Sequence, residues 1–424
     1  MRLLSRIVNR LVFPAANNYL KLQSYQNRQK SKRNKEQIFL EKPYKGQKIM
    51  LLVLYEKGIL RNDVIGLLQS AKKQGIYTLC VNTLKISDIE QHKDIIDCYI
   101  DKYNYGRDFG SYKSGFEHIF RRGIQKDCPR LLMINDSIFF SSKHIDKFLE
   151  EMFNSETEAL GATENFEIEH HLGSFCIAFD KKILNNEIFQ NYWKNYELTD
   201  VRPDVIKRGE MGLSKTLKRV VTSPDQFKAL YDSTRIAKVL ETNTDLIDSL
   251  VTLSRASDLV DWPKYSTAVM IQGLTKKYLY NSYNLMGLWG EDVKSSELED
   301  FRMNFVMSTK SLAGFVYKHL EDVDLTYNDV YKIICIEAIA HFVETFSRGS
   351  QIHQNNIFLH HIGMPLIKLD GLYRGMLVSR DVESIAQDLD DHQVDEFRQI
   401  MYSRPFGGNV LFGWKRAAFY RGLI

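Results

Sequence analysis

The fold is decided by the stretch Ile49-Met50-Leu51-Leu52-Val53-Leu54-Tyr55. An unbroken apolar run of this length predicts a strand buried on both faces, as in a parallel sheet covered by helices. Stretches with helical periodicity separate this run from three further strand-like runs, Tyr77–Val81, Ile95–Ile100 and Leu131–Ile134. The alternation predicts an α/β unit with a mainly parallel sheet. In such sheets ligands bind at the carboxyl ends of the strands, so polar residues there are the first candidates for function.

The 424 residues are too many for one ordinary core and divide into regions of different character. Residues 1–37 have the pattern of a basic amphipathic helix followed by a linker, and residues 46–222 contain the α/β pattern. Residues 223–350 are helical in pattern and predict an insertion or a second domain. Residues 351–424 are expected to return to the first domain and to end in a helical tail rich in basic and aromatic residues.

The first 13 residues have the pattern of an amphipathic helix that Pro14 ends. One face is apolar, and the other carries arginines four residues apart, Arg2, Arg6 and Arg10. Six further Lys or Arg residues and no acid follow within residues 21–35. This pattern favours peripheral contact of residues 1–13 with an anionic membrane surface. The alternative is a helix docked on the body of the protein. The aromatic and basic tail is either another interfacial contact or packs against the N-terminal helix.

Composition indicates a globular protein, with 44% hydrophobic and 26% charged residues and a net charge of only +4. The basic residues cluster in one segment without a recognition fold, which argues against nucleic-acid binding. Five scattered cysteines predict reduced, mostly buried thiols. No apolar run approaches the ~20 residues that span a bilayer, and arginines interrupt the apolar start, unlike in a signal peptide. We therefore expect a cytoplasmic protein at the inner face of the membrane.

A glycine-containing segment, Asn104–Phe116, follows the third predicted strand and leads into a helix. Its glycines allow the backbone to approach a ligand closely, and free N–H groups at a helix N-terminus favour phosphate. Arg107 and Lys113 are candidates to neutralise a diphosphate, and Asp108 to cap the helix or hold Arg107. The alternative is a glycine turn with an aspartate cap.

The fourth predicted strand ends at Asn135-Asp136-Ser137. A carboxylate at the end of a buried strand is costly unless it has a partner. A divalent cation, Mg²⁺ or Mn²⁺, bridging Asp136 to a diphosphate would be such a partner. The alternative is an aspartate that caps the next turn.

These motifs, in this order and spacing, resemble the rhamnan-synthesis protein F family. The resemblance rests on the segments already quoted and on His171–Phe175, Arg208–Ser214 and Asn356–Leu372, which includes Gly363-Met364-Pro365-Leu366-Ile367-Lys368. It covers roughly residues 48–220 and 351–375. Such proteins are bacterial glycosyltransferases of GT-A type that act in the synthesis of rhamnose-containing cell-wall, capsule or O-antigen polysaccharides. The resemblance therefore implies a GT-A-like (Rossmann-like) fold, here with a helical insertion and a helical C-terminal region.

The resemblance also implies roles for matching positions. Asp136 stands where GT-A enzymes carry an Asp-x-Asp metal motif, but with only one carboxylate, which puts metal dependence in doubt. Glu210 stands where inverting enzymes carry the general base. Its alternatives are a helix N-terminal acid before Met211–Arg219 and, as a rival base, Glu291-Asp292. The expected substrate- and nucleotide-binding residues are Tyr55, Glu56, Asn82, Thr83, Asn104, Gly106, Arg107, Asp108, Lys113, Asn135, His171 and Ser174.

The favoured hypothesis is a glycosyltransferase that moves rhamnose or another deoxysugar, with inversion, from a nucleotide-diphosphate donor such as dTDP-rhamnose to a growing, lipid-linked glycan. Two alternatives stay open. One is a non-catalytic protein that binds glycan or nucleotide sugar in an assembly complex. The other is a transferase that moves a phosphoalditol.

Overall fold

The structure, a computed structural model, describes residues 2–253, 309–318 and 324–424. The chain divides into two compact units. The first contains Met1–Leu230 and Leu359–Ile424, and the second contains Tyr231–Phe358. Each unit is described by itself. The rival base Glu291-Asp292 lies outside the described residues.

The first unit is built on an eight-stranded sheet among the described residues, with two small two-stranded sheets beside it. The twelve strands are β1 Gln37–Glu41, β2 Ile49–Leu54, β3 Tyr77–Asn82, β4 Cys98–Asp101, β5 Arg130–Asn135, β6 Ile138–Phe140, β7 Ala159–Gly161, β8 Glu164–Asn165, β9 His171–Leu172, β10 Cys176–Asp180, β11 Phe227–Ala229 and β12 Leu366–Lys368. The large sheet has the order β1-β4-β3-β2-β5-β10-β7-β11.

Strands β4, β3, β2 and β5 are parallel and form the centre of the large sheet. All six residues of β2 are buried, as its unbroken apolar run predicts. The chain runs from β2 outward to β3 and β4, and then returns to place β5 on the other side of β2. Strands β1 and β10 pair antiparallel at the two sides of this centre. The predicted α/β fold with a mainly parallel, Rossmann-like sheet is confirmed.

Helices of the first unit cover this sheet. They are α1 Arg2–Arg33, α2 Asn62–Lys73, α3 Arg107–Arg122, α4 Ile145–Asn154, α5 Lys181–Asn185, α6 Glu187–Asn195, α7 Arg202–Val205 and α8 Gly212–Val220. A π-helical segment, Ile206–Met211, joins α7 to α8. Short 3-10 turns lie at Glu90–His92, Ile124–Lys126 and Pro224–Gln226. All five cysteines are free and buried, as predicted.

Three helix boundaries differ from the sequence-based expectation. Helix α1 continues through Pro14 to Arg33, where the sequence predicts a linker. The buried face of α1 supports this continuation, because Ala16 packs in an apolar cluster and Ser24 and Asn27 form hydrogen bonds with the loop before α7. Helix α3 begins already at Arg107, so most of the glycine segment lies within the helix and does not precede it. The helix expected at Met211–Arg219 begins instead at Arg202.

The chain returns to the first unit through β12, which pairs antiparallel with β6. This pairing places Lys368 opposite Ile138, beside the end of β5. Helices then complete the unit: α15 Gly371–Arg374, α16 Ser379–Asp388, α17 Asp391–Tyr402, α18 Gly407–Val410 and α19 Gly413–Phe419. The helical C-terminal region is therefore confirmed.

The second unit is helical in its described parts. Its helices are α9 Ser233–Thr242, α10 Asp245–Leu253, α11 Thr309–Lys318, α12 Tyr327–Phe346 and α13 Gln351–Gln354, and α14 Asn356–His361 leads back to the first unit. Thr326 and Asp329 form a capping box that starts α12. No helix in the described ranges is long and apolar enough to cross a bilayer.

Gly115 allows α3 to lie directly on β2. A Cβ atom at this position would lie 2.4 Å from Cδ1 of Leu51, which is fully buried. We expect Gly115→Ala to lower the free energy of unfolding by about 1–3 kcal/mol, because the close-packed interface has to shift. Gly66→Ala in α2 is the matched control. Nothing lies within 4 Å of its new Cβ atom, so it is expected to add about 0.5–1 kcal/mol. Urea denaturation that shows Gly115→Ala as stable as wild type would contradict this packing.

Candidate active site

The candidate site is centred where β2 and β5 end side by side. The chain reverses its order in the sheet between these strands, which is where open α/β sheets bind ligands. The Tyr55 N–H donates to the Asp136 carboxylate across this point. In return, the Asp136 N–H donates to the Val53 carbonyl over 3.1 Å. Tyr55 itself is 54% exposed.

Asp136 is buried next to a second acid and a shared arginine. Burial raises the pKa of Asp136 to about 6, although the nearby Arg61 guanidinium opposes this shift. Burial likewise raises the pKa of Glu56 to about 7, again against Arg61. Arg61 binds the buried Asp63 with two hydrogen bonds, of 2.9 and 3.1 Å, and lies 3.3 Å from Glu56. Asp136, Glu56 and Asp63 therefore share the charge of Arg61 at the ends of β2 and β5.

Asp108 lies beside Asn135. The Asn135 amide donates to Asp108 over 3.1 Å, and its carbonyl oxygen accepts from Ser137. The Asp108 side chain is open to water, although protein surrounds it on several sides. Loss of hydration raises the pKa of Asp108 against the opposing charges of Lys368 and Arg107. Asp108 also raises the pKa of Asp136, so the two carboxyl groups interact.

Arg107 has an uncommon backbone conformation at the start of α3. Its φ of 51° follows a φ of 89° at Gly106, so two consecutive residues are left-handed. For a residue with a side chain this conformation costs about 1–3 kcal/mol and occurs mostly at functional sites. Asp200 holds it in place: the Gly106 N–H donates to the carboxylate and Arg107 Nε to the carbonyl, both over 2.8 Å.

Three further cations lie in the same region, and none of them was expected from the sequence to have a role. Lys368 donates to Ser137 over 2.9 Å, and its charge acts on both Asp108 and Glu210. Arg202 and Arg374 interact with each other, and Arg107 with Arg374. Burial and this mutual repulsion lower the pKa of Arg202 to about 10. Lys368 lies in a motif that carries the family resemblance, and this was the one signal available.

Glu210 faces His171. The two side chains approach to 3.7 Å between Oε2 and Nε2. Nδ1 of His171 lies 2.7 Å from the Glu169 carbonyl, which only accepts, so Nδ1 carries a hydrogen and Nε2 faces the carboxylate. Burial opposes charge on both groups, but their attraction outweighs it. The pKa of His171 is raised, and that of Glu210 is lowered with the help of Lys368 and Arg202.

The π-helical segment Ile206–Met211 positions Glu210. Such segments are rare and frequent at functional sites. Gly209 lets the segment rest on α3, because a Cβ atom there would lie 2.8 Å from the Phe109 ring. Glu210 lies in the middle of a continuous helix from Arg202 to Val220. The alternative of a helix N-terminal acid is therefore wrong.

A cavity of about 570 Å³ lies where β3 and β4 end. Thr83 and Asn104 line it, together with Lys102. Burial lowers the pKa of Lys102 to about 8, and Asp200, which also holds Arg107, acts on its charge. The cavity and Arg107 thus share Asp200 as a neighbour.

Other predicted residues are occupied by hydrogen bonds within the protein. Asn82 is fully buried and bonds to the Glu56 backbone, the Thr83 N–H and the Tyr99 hydroxyl, so it holds the strand ends together. Lys113 donates to three carbonyls at the end of α6, of Trp193, Lys194 and Tyr196. These contacts use all its hydrogens, so the expected diphosphate contact of Lys113 is not favoured. Ser174 accepts from Tyr112 through its backbone carbonyl.

The donor set for a divalent cation is small. Within the described ranges no group of three or more His, Cys, Asp or Glu side chains is placed to hold a metal ion. One Asp136 oxygen already accepts from Tyr55. A single carboxylate fits Mg²⁺ only where phosphate oxygens and water complete its shell. Asp136 therefore suits a cation that arrives with a diphosphate ligand.

Comparison with known proteins assigns the family. The sequence profile of the rhamnan synthesis protein F family matches residues 76–312, more than half of the chain. The chain belongs to the rhamnan synthesis protein F family. The resemblance inferred from the sequence is therefore confirmed, and Arg107, Asp108, Asp136, His171 and Glu210 all lie within the matched range of this family.

Individual relatives of this family member are distant. It is 25% identical over 183 residues to the uncharacterized protein y4gN of Sinorhizobium fredii (strain NBRC 101917 / NGR234), a match of 42% of this chain and 47% of that one. It is 26% identical over 119 residues to virulence protein VirA of Vibrio anguillarum (strain ATCC 68554 / 775), with 28% and 38% covered. The matches therefore span less than half the length of these curated relatives.

A solved structure with detectable similarity is the glycosyltransferase GlyE of Streptococcus pneumoniae TIGR4. It shares 13% identity, with 47% of this chain and 50% of that chain covered and a TM-score of 0.26. Similarity at this level carries no argument about the site of this family member.

Asp136 makes the stability depend on pH. The pKa of Asp136 is raised from 3.8 to about 6 in the folded protein. The contribution of Asp136 to the free energy of unfolding is therefore most favourable below pH ~4, where the carboxyl group is protonated in both states. This contribution is lost as the pH rises through ~6. Asp136→Asn removes this titration. The unfolding free energy of the variant relative to wild type should therefore rise by up to about 3 kcal/mol between pH 4 and pH 8. Urea denaturation at both pH values measures it, with the exposed Glu150→Gln as control. A difference that does not change with pH would contradict the burial of this charge.

Glu210 should control the titration of His171. Because the Glu210 carboxylate raises the pKa of His171, Glu210→Gln should lower that pKa. An NMR pH titration of labelled histidine measures it, with His171→Asn to assign the signal. Glu197→Gln, an exposed acid paired with Arg208, is the control and should leave the His171 titration unchanged. Equal His171 titrations in Glu210→Gln and wild type would contradict the pairing.

Proposed function

We propose that this protein is a glycosyltransferase that transfers a sugar from a nucleotide-diphosphate donor to a growing cell-surface polysaccharide. The observation that carries the proposal is the convergence of four cations and three acids at the candidate active site. The cations are Arg107, Arg202, Lys368 and Arg374, and the acids are Asp108, Asp136 and Glu210. Membership of the rhamnan synthesis protein F family supports the same class of function.

The cations suit the leaving diphosphate. In sugar transfer, negative charge grows on the diphosphate as its bond to the sugar breaks, and fixed positive groups stabilise that charge. Repulsion among Arg107, Arg202 and Arg374 is relieved when an anion binds between them. The free N–H groups and left-handed start of α3 add a backbone contribution.

Glu210 is the proposed general base. Its lowered pKa keeps it ionised at neutral pH and able to accept the proton of an acceptor hydroxyl. His171 is proposed to orient this carboxylate, since its Nε2 lies 3.7 Å from Glu210 Oε2. A single base of this kind fits an inverting transfer. Asp108 is the second candidate, because its raised pKa makes it the more basic of the two carboxylates.

The remaining parts of the donor and the acceptor are assigned by chemistry. The cavity lined by Thr83 and Asn104 is proposed to hold the nucleoside, and the exposed Tyr55 ring to offer a stacking face. Asp136 is proposed to hold Mg²⁺ or Mn²⁺, which would polarise the diphosphate. Rhamnose or another deoxysugar is the proposed donor sugar, and a lipid-linked glycan the proposed acceptor. Peripheral membrane contact through residues 1–13 and a location at the inner face of the membrane fit that acceptor.

A panel of dTDP-, UDP- and GDP-linked sugars and CDP-alditols tests the proposal. We expect slow hydrolysis or transfer with one nucleotide sugar, abolished in Asp136→Ala, and assayed with Mg²⁺, with Mn²⁺ and with a chelator. Glu210→Gln should lower kcat by about 10²–10⁴ with little change in donor affinity. Lys368→Met should weaken donor binding by about tenfold or more, because it removes a charged hydrogen bond.

Lys113→Met is the matched control, because the Lys113 ammonium group is occupied by three carbonyls at the end of α6, and it should keep the donor affinity of wild type. Donor binding without turnover under every condition would favour a non-catalytic binding protein. Turnover of a CDP-alditol alone would favour phosphoalditol transfer. Loss of activity in Asp108→Asn with full activity in Glu210→Gln would assign the base to Asp108.

A further inference from the structure

We propose that the outer face of α1 and residues 403–424 together form a surface that docks on an anionic lipid bilayer. We name it the basic aromatic surface. Its members are Phe13, Tyr19, Phe412, Trp414, Lys415, Arg416, Tyr420 and Arg421. This surface extends well beyond residues 1–13 and combines the two ends of the chain.

Charge is distributed very unevenly along the chain. Residues 1–35 and 403–424 contain 13 Lys and Arg and no Asp or Glu. The rest of the chain contains 44 Lys and Arg against 53 Asp and Glu. The net charge of +4 is therefore the sum of two strongly basic segments and an acidic remainder of the chain. The two basic segments are attracted to anionic lipids, while the acidic remainder is repelled.

The fold brings the two basic segments together. Ala16 of α1 packs in a buried cluster with Ala418 and Leu423. The rings of Tyr19 and Trp414 meet edge to face, with centroids 5.4 Å apart. Arg421 lies 5.8 Å from the centroid of the Phe13 ring. The two segments therefore present one continuous surface.

Large apolar side chains of this surface face water. The exposed fractions are 77% for Phe412, 48% for Tyr19, 42% for Tyr420 and 40% for Trp414. Trp and Tyr favour the interface between lipid headgroups and hydrocarbon, and basic residues favour anionic headgroups. Exposed aliphatic residues nearby, Leu22 and Val410, suit a bilayer better than a nucleic acid, which offers phosphates and base faces.

The same two segments hold the cations of the candidate active site. Arg202 donates to the Gly422 carbonyl over 2.9 Å, and Arg374 to the Ile424 carbonyl over 3.2 Å. On the α1 side, Asn27 donates to Asp200 over 2.9 Å, the residue that holds Arg107. A docked bilayer would therefore lie next to the candidate active site. Docking would bring a lipid-linked acceptor to this site, and only this consequence rests on the proposed function.

Flotation with vesicles tests the docking surface on the full chain. Wild type should bind vesicles of phosphatidylcholine with phosphatidylglycerol, and bind phosphatidylcholine alone far more weakly. Phe412→Ser with Lys415→Glu should weaken binding to the anionic vesicles by about tenfold or more, because an exposed ring is lost and one charge is reversed. Ile188→Ser with Lys126→Glu is the control, since both side chains are exposed elsewhere on the same unit, and it should bind like wild type.

Circular dichroism establishes whether the double variant is folded. If it is unfolded, the milder Phe412→Ser variant replaces it and should also weaken binding to the anionic vesicles. Equal vesicle binding by variant and wild type would overturn the proposal. So would equal binding of wild type to neutral and anionic vesicles, no binding to vesicles, or binding of RNA or DNA in preference to them. Donor hydrolysis in the absence of vesicles should be unchanged in the variant, which separates this test from that of the proposed function.

Discussion

The hydrogen bond from the Tyr55 N–H to the buried Asp136 carboxylate joins the ends of two central strands where the sheet changes its order. A buried carboxylate is stable only with such partners. Asp136 obtains them from a backbone N–H and from Arg61, whose charge also acts on Glu56 and Asp63. This hydrogen bond fixes the loops after β2 and β5 relative to each other. The other charged residues of the candidate active site lie around these two loops.

The four cations of the candidate active site come from segments that are far apart in the chain. Arg107 begins α3, Arg202 begins α7, and Lys368 and Arg374 follow the return of the chain to the first unit. Lys368 reaches the end of β5 because β12 pairs with β6. Closure of the first unit by its last 66 residues thus completes the anion-binding chemistry, and the α/β core alone would contain only part of it.

The sequence predicted the central strands well, because residues buried on both faces form unbroken apolar runs, as in Ile49–Leu54. Motifs in the chain singled out Asp108, Asp136 and Glu210 as candidates, and the structure places these side chains near one another. The sequence missed Arg202 and Arg374, since a lone arginine in a helix carries no sign of its tertiary neighbours. It gave no sign that the Lys113 ammonium group donates to carbonyls at the end of α6. Which charges converge depends on strand pairing over hundreds of residues, and local pattern does not encode it.

The π-helical segment Ile206–Met211 gives Glu210 an orientation that an ordinary helix would not. Successive residues of an α-helix are rotated by about 100°, and the wider turn holds one residue more than the regular spiral. Removing a single amino acid upstream of Glu210 would restore regular winding and swing the carboxylate away from His171 by roughly that angle. The length of this short stretch, and not only its composition, therefore fixes where the carboxylate points.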